Sequence, residues 1–248
     1  MGLVGRSVIV TGAGSGIGAD IARFAAERGA LLTVVGRREQ PLRELADRVD
    51  GPVLVVGEDL TEPGAAARAV DAAVARYGRL DGVVNNAGTA RFARLEDADP
   101  ADLDAMFALH VRAPAQVVRH ALPELRARRG AVVNVSSVGG VLAMPGRSFY
   151  GASKAALNSL TRSLARELSP DVRVNAVLPG PVDTPMWHEA GMNAAQTAAL
   201  RDTLLAATPM GRFGEGHEIA RSVCFLLDPE QSGWTTGALL PVDGGRTA

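Results

Sequence analysis

Short apolar runs, each closed by glycine or a small polar residue, alternate along the chain with longer segments in which apolar residues recur every three to four positions. The first run, Ser7 to Val10, leads into Thr11-Gly-Ala-Gly-Ser-Gly-Ile-Gly18 and then into a helical segment reaching about Arg28, where Gly29 stops it. Leu31 to Val35, Val53 to Val56, Leu80 to Val84, Ala131 to Val135, Arg173 to Val177 and Ala238 to Val242 repeat the strand signal, with helical segments between them. Strands that are apolar at nearly every position are buried on both faces, as in a parallel sheet covered by helices. The expectation is an α/β fold, a doubly wound parallel sheet of about seven strands with helices on both faces, in one domain over residues 1–248.

Two stretches depart from this alternation. Asp99-Pro100 opens a long helix expected to run to about Arg129, yet Pro114 lies inside it. Proline has no N–H, so the carbonyl of His110, four residues back, is expected to lack its helical partner and to need a polar group or water. Between Pro181 and Phe213 no strand is predicted, and the segment carries Met186, Trp187, His188 and Met192. A long insertion at the C-terminal edge of a parallel sheet is expected to serve as a substrate-binding lid.

Composition narrows the class of partner. With 27 acidic and 26 basic residues the formal charge is −1, which argues against a general nucleic-acid or anionic-membrane binder and in favour of a small-molecule ligand. The single cysteine, Cys224, allows no internal disulfide and suits a reducing compartment. No secretory pattern opens the chain and no apolar run approaches bilayer-spanning length, so a cytoplasmic location is expected. His110, His120, His188 and His217 show no ligand spacing, and no metal is expected.

Candidate chemistry gathers at Tyr150-Gly-Ala-Ser-Lys154. Lys154 is the only lysine; every other basic side chain is arginine. Tyr150 is one of two tyrosines and stands four residues before it, on the same helix face. A nearby ammonium can lower a phenol toward neutrality, making Tyr150 a candidate general acid/base and Lys154 its tuning group; a solvated surface pair is the plainer alternative. The glycine turn after the first strand, with Gly12, Ser15, Gly16, Ile17 and Gly18, suits a pyrophosphate held at a helix N-terminus. Its spacing is G-x-x-x-G-x-G. At the tip of the second strand, where a carboxylate would hold a ribose 2′-hydroxyl, stands Gly36-Arg37-Arg38. Two guanidiniums there favour the 2′-phosphate of NADP(H) over NAD(H), unless they form only a solvated basic turn. Asp59, with Leu60 after it, could accept from the adenine amine or cap the next helix. Asn85-Asn86-Ala87-Gly88 ends the fourth strand, where ligands bind in open parallel sheets.

Taken in order, Thr11-Gly12-x-x-x-Gly16-x-Gly18, Asn85-Asn86-Ala87-Gly88, Ser137, Tyr150-x-x-x-Lys154, Pro179-Gly180 and Val242-Asp243-Gly244-Gly245 resemble the short-chain dehydrogenase/reductase family over the whole chain, and 3-oxoacyl carrier-protein reductases within it. The resemblance implies a single-domain Rossmann fold, a nicotinamide cofactor and a homotetramer. It implies Tyr150 as acid/base, Lys154 as the residue that lowers its pKa and holds the nicotinamide ribose, and Ser137 as the group that stabilises the substrate oxygen. Asn86 and Gly88 resemble the motif supporting the adenosine side; Pro179, Gly180, Val182 and Thr184 resemble the segment on the carboxamide. The implied reaction interconverts a secondary alcohol and a ketone, with NADP(H) preferred.

One position departs from the family pattern. An asparagine is common where this chain has His110, and there the residue's backbone carbonyl helps hold a water of the proton relay. The proline-freed carbonyl suggests that this role survives, with the imidazole idle, packed, or adding a titratable step. Met144, Phe149, Met186, Trp187 and Met192 suggest an apolar or cyclic substrate, although such residues are also ordinary core. Arg126, Arg128 and Arg129 could dock an acidic carrier protein or simply complement a helix C-terminus. Two other functions stay open at this level: a dinucleotide-binding regulator without turnover, and a non-redox epimerase or lyase using the tyrosine for proton transfer alone.

Overall fold

The computed structural model describes residues 2–248, apart from the side chains of residues 188 and 189. The seven apolar runs become seven strands: β1 Ser7–Thr11, β2 Leu31–Gly36, β3 Val53–Gly57, β4 Gly82–Asn85, β5 Ala131–Val135, β6 Arg173–Pro179 and β7 Leu239–Val242. All pair in parallel, in the order β3-β2-β1-β4-β5-β6-β7. Every residue of the central strands β1, β4 and β5 is buried, whereas the edge strands β3 and β7 are half-exposed. That gradient explains the unbroken apolar runs in the centre, where helices cover both faces.

Helices α1 Gly16–Ala26 and α2 Glu39–Ala46 lie with α9 Gly216–Leu227 on one face, where Ile21, Leu42, Ile219 and Val223 bury their side chains among the strands. On the other face lie α3 Ala65–Tyr77, α5 Ala113–Arg128 and α6 Ser148–Leu168, contributing Val70, Val117, Leu125 and Leu168. The helices α4 Pro100–Phe107, α7 Met186–Glu189, α8 Ala194–Ala206 and α10 Pro229–Ser232 complete the chain.

The long helix expected from Asp99 to Arg129 is interrupted in its winding. Between α4 and α5, residues Ala108–Arg112 form a π turn in which the N–H of Ala113 bonds the carbonyl of Ala108, five residues back. Pro114 is the cause: it can give no N–H to the carbonyl of His110, and the wider turn accommodates its ring. The predicted disruption therefore occurs, as a local widening that carries His110 at its centre.

Because the chain leaves β1 in one direction toward β2 and β3, and in the other toward β4, a crevice opens where the order reverses, beyond the C-terminal ends of β1 and β4. Polar residues tie those ends together. Thr11 Oγ1 donates to the carbonyl of Val84 (3.2 Å) and accepts from the N–H groups of Asn86 and Ala87 (3.0 Å each). Deeper in, Asn85 Nδ2 donates to Asn134 Oδ1 (2.9 Å), and Asn134 Nδ2 donates to Thr161 Oγ1 (2.8 Å), which in turn donates to the carbonyl of Leu157 (2.8 Å). This chain of buried amides and hydroxyl locks β4 to β5 and β5 to α6, the helix that bears Tyr150.

Replacing Asn134 with alanine leaves the Asn85 amide and the Thr161 hydroxyl short of a partner inside the protein. We expect a loss of about 2–4 kcal/mol of folding stability, read as a lower urea midpoint with little change in slope.

Candidate active site

The crevice is a continuous cleft of about 820 Å³ that runs from Arg37 and Asp59 at one end to Ser137 and Tyr150 at the other. Its floor is the glycine turn. Gly12 has φ +66°, and a Cβ there would stand 2.7 Å from the Cα of Ala87; a Cβ on Gly18 would stand 2.3 Å from the carbonyl oxygen of Gly12. Only glycine lets strand, turn and helix approach this closely. Ser15, the N-cap of α1, makes no side-chain cap bond, so its hydroxyl and the first-turn amides of α1 are available to an anion. Asn86 lines the cleft, and its Nδ2 donates to the carbonyls of Thr11 (3.0 Å) and Gly12 (3.2 Å), bracing the turn. The cradle, the open helix N-terminus and the length of the cleft fit a nicotinamide dinucleotide.

At the adenosine end Arg37 and Arg38 are exposed, and Arg37 Nη1 lies 3.9 Å from Asp59 Oδ2. Asp59 Oδ1 accepts from both the N–H (2.9 Å) and the hydroxyl (2.6 Å) of Thr61. The expected helix cap is thus corrected to a turn cap, since the N-cap of α3 is Gly64. Leu60 is buried beneath this end. Pro179, Gly180, Val182 and Thr184 border the cleft above the glycine turn, and a Cβ on Gly16 would meet the side chain of Thr184 at 3.4 Å.

At the other end the buried side chains of Ser137, Tyr150 and Lys154 meet. Ser137, just past β5, accepts from the N–H of Gly139 (3.0 Å) through its hydroxyl oxygen. Burial pushes the Tyr150 phenol above its ordinary value, while a hydrogen bond with Ser137 and the charge of Arg147 draw it back. Burial lowers the Lys154 ammonium to about 8, and its Nζ donates to the carbonyl of Val135 (3.1 Å), 5.9 Å from the centre of the Tyr150 ring. Burial therefore acts on both members of the pair, lifting the phenol and lowering the ammonium that stands beside it.

His110 lies behind this wall, 1% exposed and outside the cleft lining. Its Nε2 accepts from the N–H of Thr89 (3.0 Å), which leaves the ring proton on Nδ1, 2.8 Å from Ser153 Oγ. Ser153 Oγ donates onward to the carbonyl of Tyr150 (2.8 Å). Both ring nitrogens are thus occupied. Burial, reinforced by the positive charge of Lys154, holds the imidazole well below its ordinary range, so it stays neutral.

Of the five residues expected to meet substrate, Met144, Met186 and Trp187 line the cleft. Phe149 and Met192 do not; they pack with Phe92 and Met186 around Tyr150, Ala90, Met106 and Ala190. Phe92, edge-on to Tyr150 at 5.7 Å between ring centres, and the arginines Arg147 and Arg246 also line the cleft and were not anticipated. Arg147 had a legible signal, since it precedes Tyr150 by one turn. Arg246 had none, because only the folded tail brings it here. Arg126, Arg128 and Arg129 end α5 just before β5, across the sheet from this chain's own cleft. Among the described residues no group of three or more His, Cys, Asp or Glu side chains is arranged to hold a metal, and no helix is long and apolar enough to cross a membrane.

Two outcomes follow from these buried groups. Lys154 releases its proton near 8 when folded against 10.5 ordinarily, so between those values the unfolded chain binds the extra proton and stability rises with pH; below 8 the whole penalty is present. Lys154→Met should therefore unfold at higher denaturant than the wild type at pH 7, by about 2–3 kcal/mol, with the gap closing toward pH 10.5. His110→Asn should retain the pH–rate profile, because the imidazole it replaces carries no charge, whereas His110→Ala should cost about 1–3 kcal/mol by stranding the Thr89 N–H.

Comparison with known proteins agrees with the geometry. Residues 12–247 match a family model described as enoyl-(acyl carrier protein) reductase. The 3-oxoacyl-(acyl-carrier-protein) reductase of Thermotoga maritima is 35% identical over 99% of both chains. The cis-4-hydroxycyclohexanecarboxylate dehydrogenase of Sinomonas cyclohexanicum is 38% identical over 98% of this chain and 97% of its own. A 3-ketoacyl-(acyl-carrier-protein) reductase from Brucella melitensis, solved as a complex with NADH, superimposes with a TM-score of 0.91 at 29% identity, covering 99% of this chain and all of that one. With this sheet, this cleft and relatives aligned end to end, the chain belongs to the short-chain dehydrogenase/reductase family.

Proposed function

We propose that the protein is an NADP(H)-dependent oxidoreductase that interconverts a secondary alcohol and a ketone, with Tyr150 as general acid/base. The observation that carries this reading is the meeting of Ser137, Tyr150 and Lys154 at one end of a cleft whose other end is a glycine cradle at a helix N-terminus. The bound cofactor supplies or accepts the hydride at carbon. Ser137 and Tyr150 place two hydroxyls at the substrate oxygen, where Tyr150 gives a proton as negative charge develops and takes it back in the reverse direction. Lys154, fixed on the Val135 carbonyl, holds the nicotinamide ribose. The backbone at His110, in its π turn, serves the water of the relay, while the neutral side chain positions Thr89 and Ser153.

NADP(H) is preferred because Arg37 and Arg38 stand at the tip of β2 where a carboxylate would select NAD(H), and Arg37 is only loosely held by Asp59. Residues 181–213 act as the lid, closing through Thr184 over the glycine turn. Met144, Met186 and Trp187 suit an apolar or cyclic ketone, in keeping with a relative named for a cyclohexane alcohol. The working form is a homotetramer in a reducing compartment, a reading supported by the fully exposed Trp234, the exposed Phe225 and the thiol of Cys224, which burial pushes up to about 12.

The test follows NADPH and NADH oxidation over a panel of cyclic ketones. NADPH should be consumed far faster than NADH, and Tyr150→Phe should lower turnover by roughly 100-fold to 10,000-fold. Arg37→Ala with Arg38→Ala should raise KM for NADPH by about tenfold or more while leaving NADH little changed. Equal use of both cofactors by the wild type would overturn the arginine assignment.

A further inference from the structure

The substrate end of the cleft contains two cations for which the reading above has no task. Arg147 is the N-cap residue of α6, three residues before Tyr150 and so on the same side of the helix. Its guanidinium lies 5.8 Å from the ring centre of Phe92, whose own ring is edge-on to Tyr150. Arg246 reaches the same cleft from the tail. Its Nη1 donates to the carbonyl of Ala207 (3.2 Å), and its Nε is buried without any partner.

Arg246 is not placed by chance. Gly244 and Gly245 adopt φ +66° and +87°, a left-handed pair that turns the chain back beyond β7. Asp243 fixes the turn by accepting from the N–H of Gly245 (2.9 Å) and from the N–H and hydroxyl of Thr247 (2.9 and 2.6 Å). The backbone of the lid is tied to it, Met210 N–H donating to the carbonyl of Gly244 (3.0 Å). Gly180 lies against Asp243 so closely that a Cβ would stand 2.7 Å from its Cα. The tail motif thus holds a guanidinium at the wall of the cleft.

Elsewhere in the molecule arginines near carboxylates pair with them, as Arg68 does with Glu58, Arg79 with Asp81 and Arg212 with Glu218. Among the described residues neither Arg147 nor Arg246 has a carboxylate within ion-pair distance. Burial lowers the Arg147 guanidinium, and the charge of Arg246 lowers it further, so the two repel across a partly desolvated space. Two like charges held together beside the reacting groups are stabilised by an anion between them.

We infer that Arg147 and Arg246 form an anion subsite, and that the substrate is a ketone or secondary alcohol bearing a carboxylate, seated between these two guanidiniums while its oxygen faces Ser137 and Tyr150. This inference rests on the oxidoreductase reading for the reacting end, but the anion subsite itself does not. Guanidinium, with its planar fork, is suited to a carboxylate, and the apolar Met144 and Phe92 beside it suit the hydrocarbon between the two ends.

The test uses two matched pairs of probes, 4-oxocyclohexanecarboxylate with its methyl ester, and 4-oxopentanoate with its methyl ester. Each ester keeps the shape of its acid and removes the charge. In the wild type, kcat/KM for the better acid should exceed that of its ester by tenfold or more. Arg147→Gln and Arg246→Gln should each reduce that ratio by about tenfold, mainly through KM, and Arg147→Lys should recover part of it. Working with the ratio removes any effect of Arg147 on Tyr150, which touches acid and ester alike. Calorimetry of cyclohexanecarboxylate, which has no ketone, against the enzyme–NADP+ complex gives a readout free of turnover, and binding should weaken at least tenfold in either glutamine variant. If ketones are reduced but acid and ester are used equally, the anion subsite is wrong and the oxidoreductase reading stands. If no ketone is reduced yet the carboxylate binds with the same dependence on both arginines, the subsite stands and the redox reading falls. Carboxylate binding that is indifferent to both substitutions overturns the inference.

Discussion

A parallel sheet covered on both faces gives its strands mainly apolar surroundings, so polar chemistry collects where the strands end. Every feature of this site follows from that constraint. β1, β4 and β5 are buried along their whole length, and the polar side chains Thr11, Asn85, Asn134, Ser136 and Ser137 gather near or just beyond their C-terminal ends. Those ends would separate if their backbone groups were unpaired. The hydroxyl of Thr11 and the amides of Asn85, Asn86 and Asn134 therefore act as fasteners, and the glycines allow the fastened segments to come within contact distance. The cleft is the gap left between strands diverging from β1 and β4, held open by the same bonds that hold the sheet together.

The same constraint sets the electrostatic character of the site. A phenol, an ammonium and an imidazole are all taken out of water on one short stretch of helix and its neighbours, and each responds by favouring its uncharged form: Tyr150 upward, Lys154 and His110 downward. Burial thus works against charge on all three groups at once, and the Lys154 ammonium adds to the pressure on the His110 ring. The electrostatic work is left to whatever enters the cleft, and burial makes each of these groups sensitive to an arriving charge.

Much of this was legible in the sequence because periodicity and spacing are local. The seven strands, the glycine turn, the Tyr150–Lys154 spacing and the break at Pro114 are each written within a few residues of one another, and each appears where expected. Contacts that join distant parts of the chain were not legible. Nothing near His110 says that its Nε2 takes the N–H of Thr89 and its Nδ1 faces Ser153, partners 21 and 43 residues away along the chain. Likewise Asn86 lines the cleft and also braces the glycine turn, while Phe149 and Met192 read as pocket residues and prove to support it. A side chain's type announces its chemistry, but which way it faces is decided by its neighbours in space. Arg246 is the extreme case, a surface residue by composition that two left-handed glycines turn inward.

The two tryptophans occupy opposite environments. Trp187 lines the cleft, with its indole N–H on the carbonyl of Val182 (2.8 Å) and its ring edge-on to Phe213 at 6.0 Å, whereas Trp234 is fully exposed on the C-terminal segment. The molecule therefore carries two intrinsic fluorophores with separate duties. Emission from the shielded indole reports on the filling of the cleft and emission from the solvated one on the C-terminal surface, so events at the two places are optically distinct in the unlabelled protein.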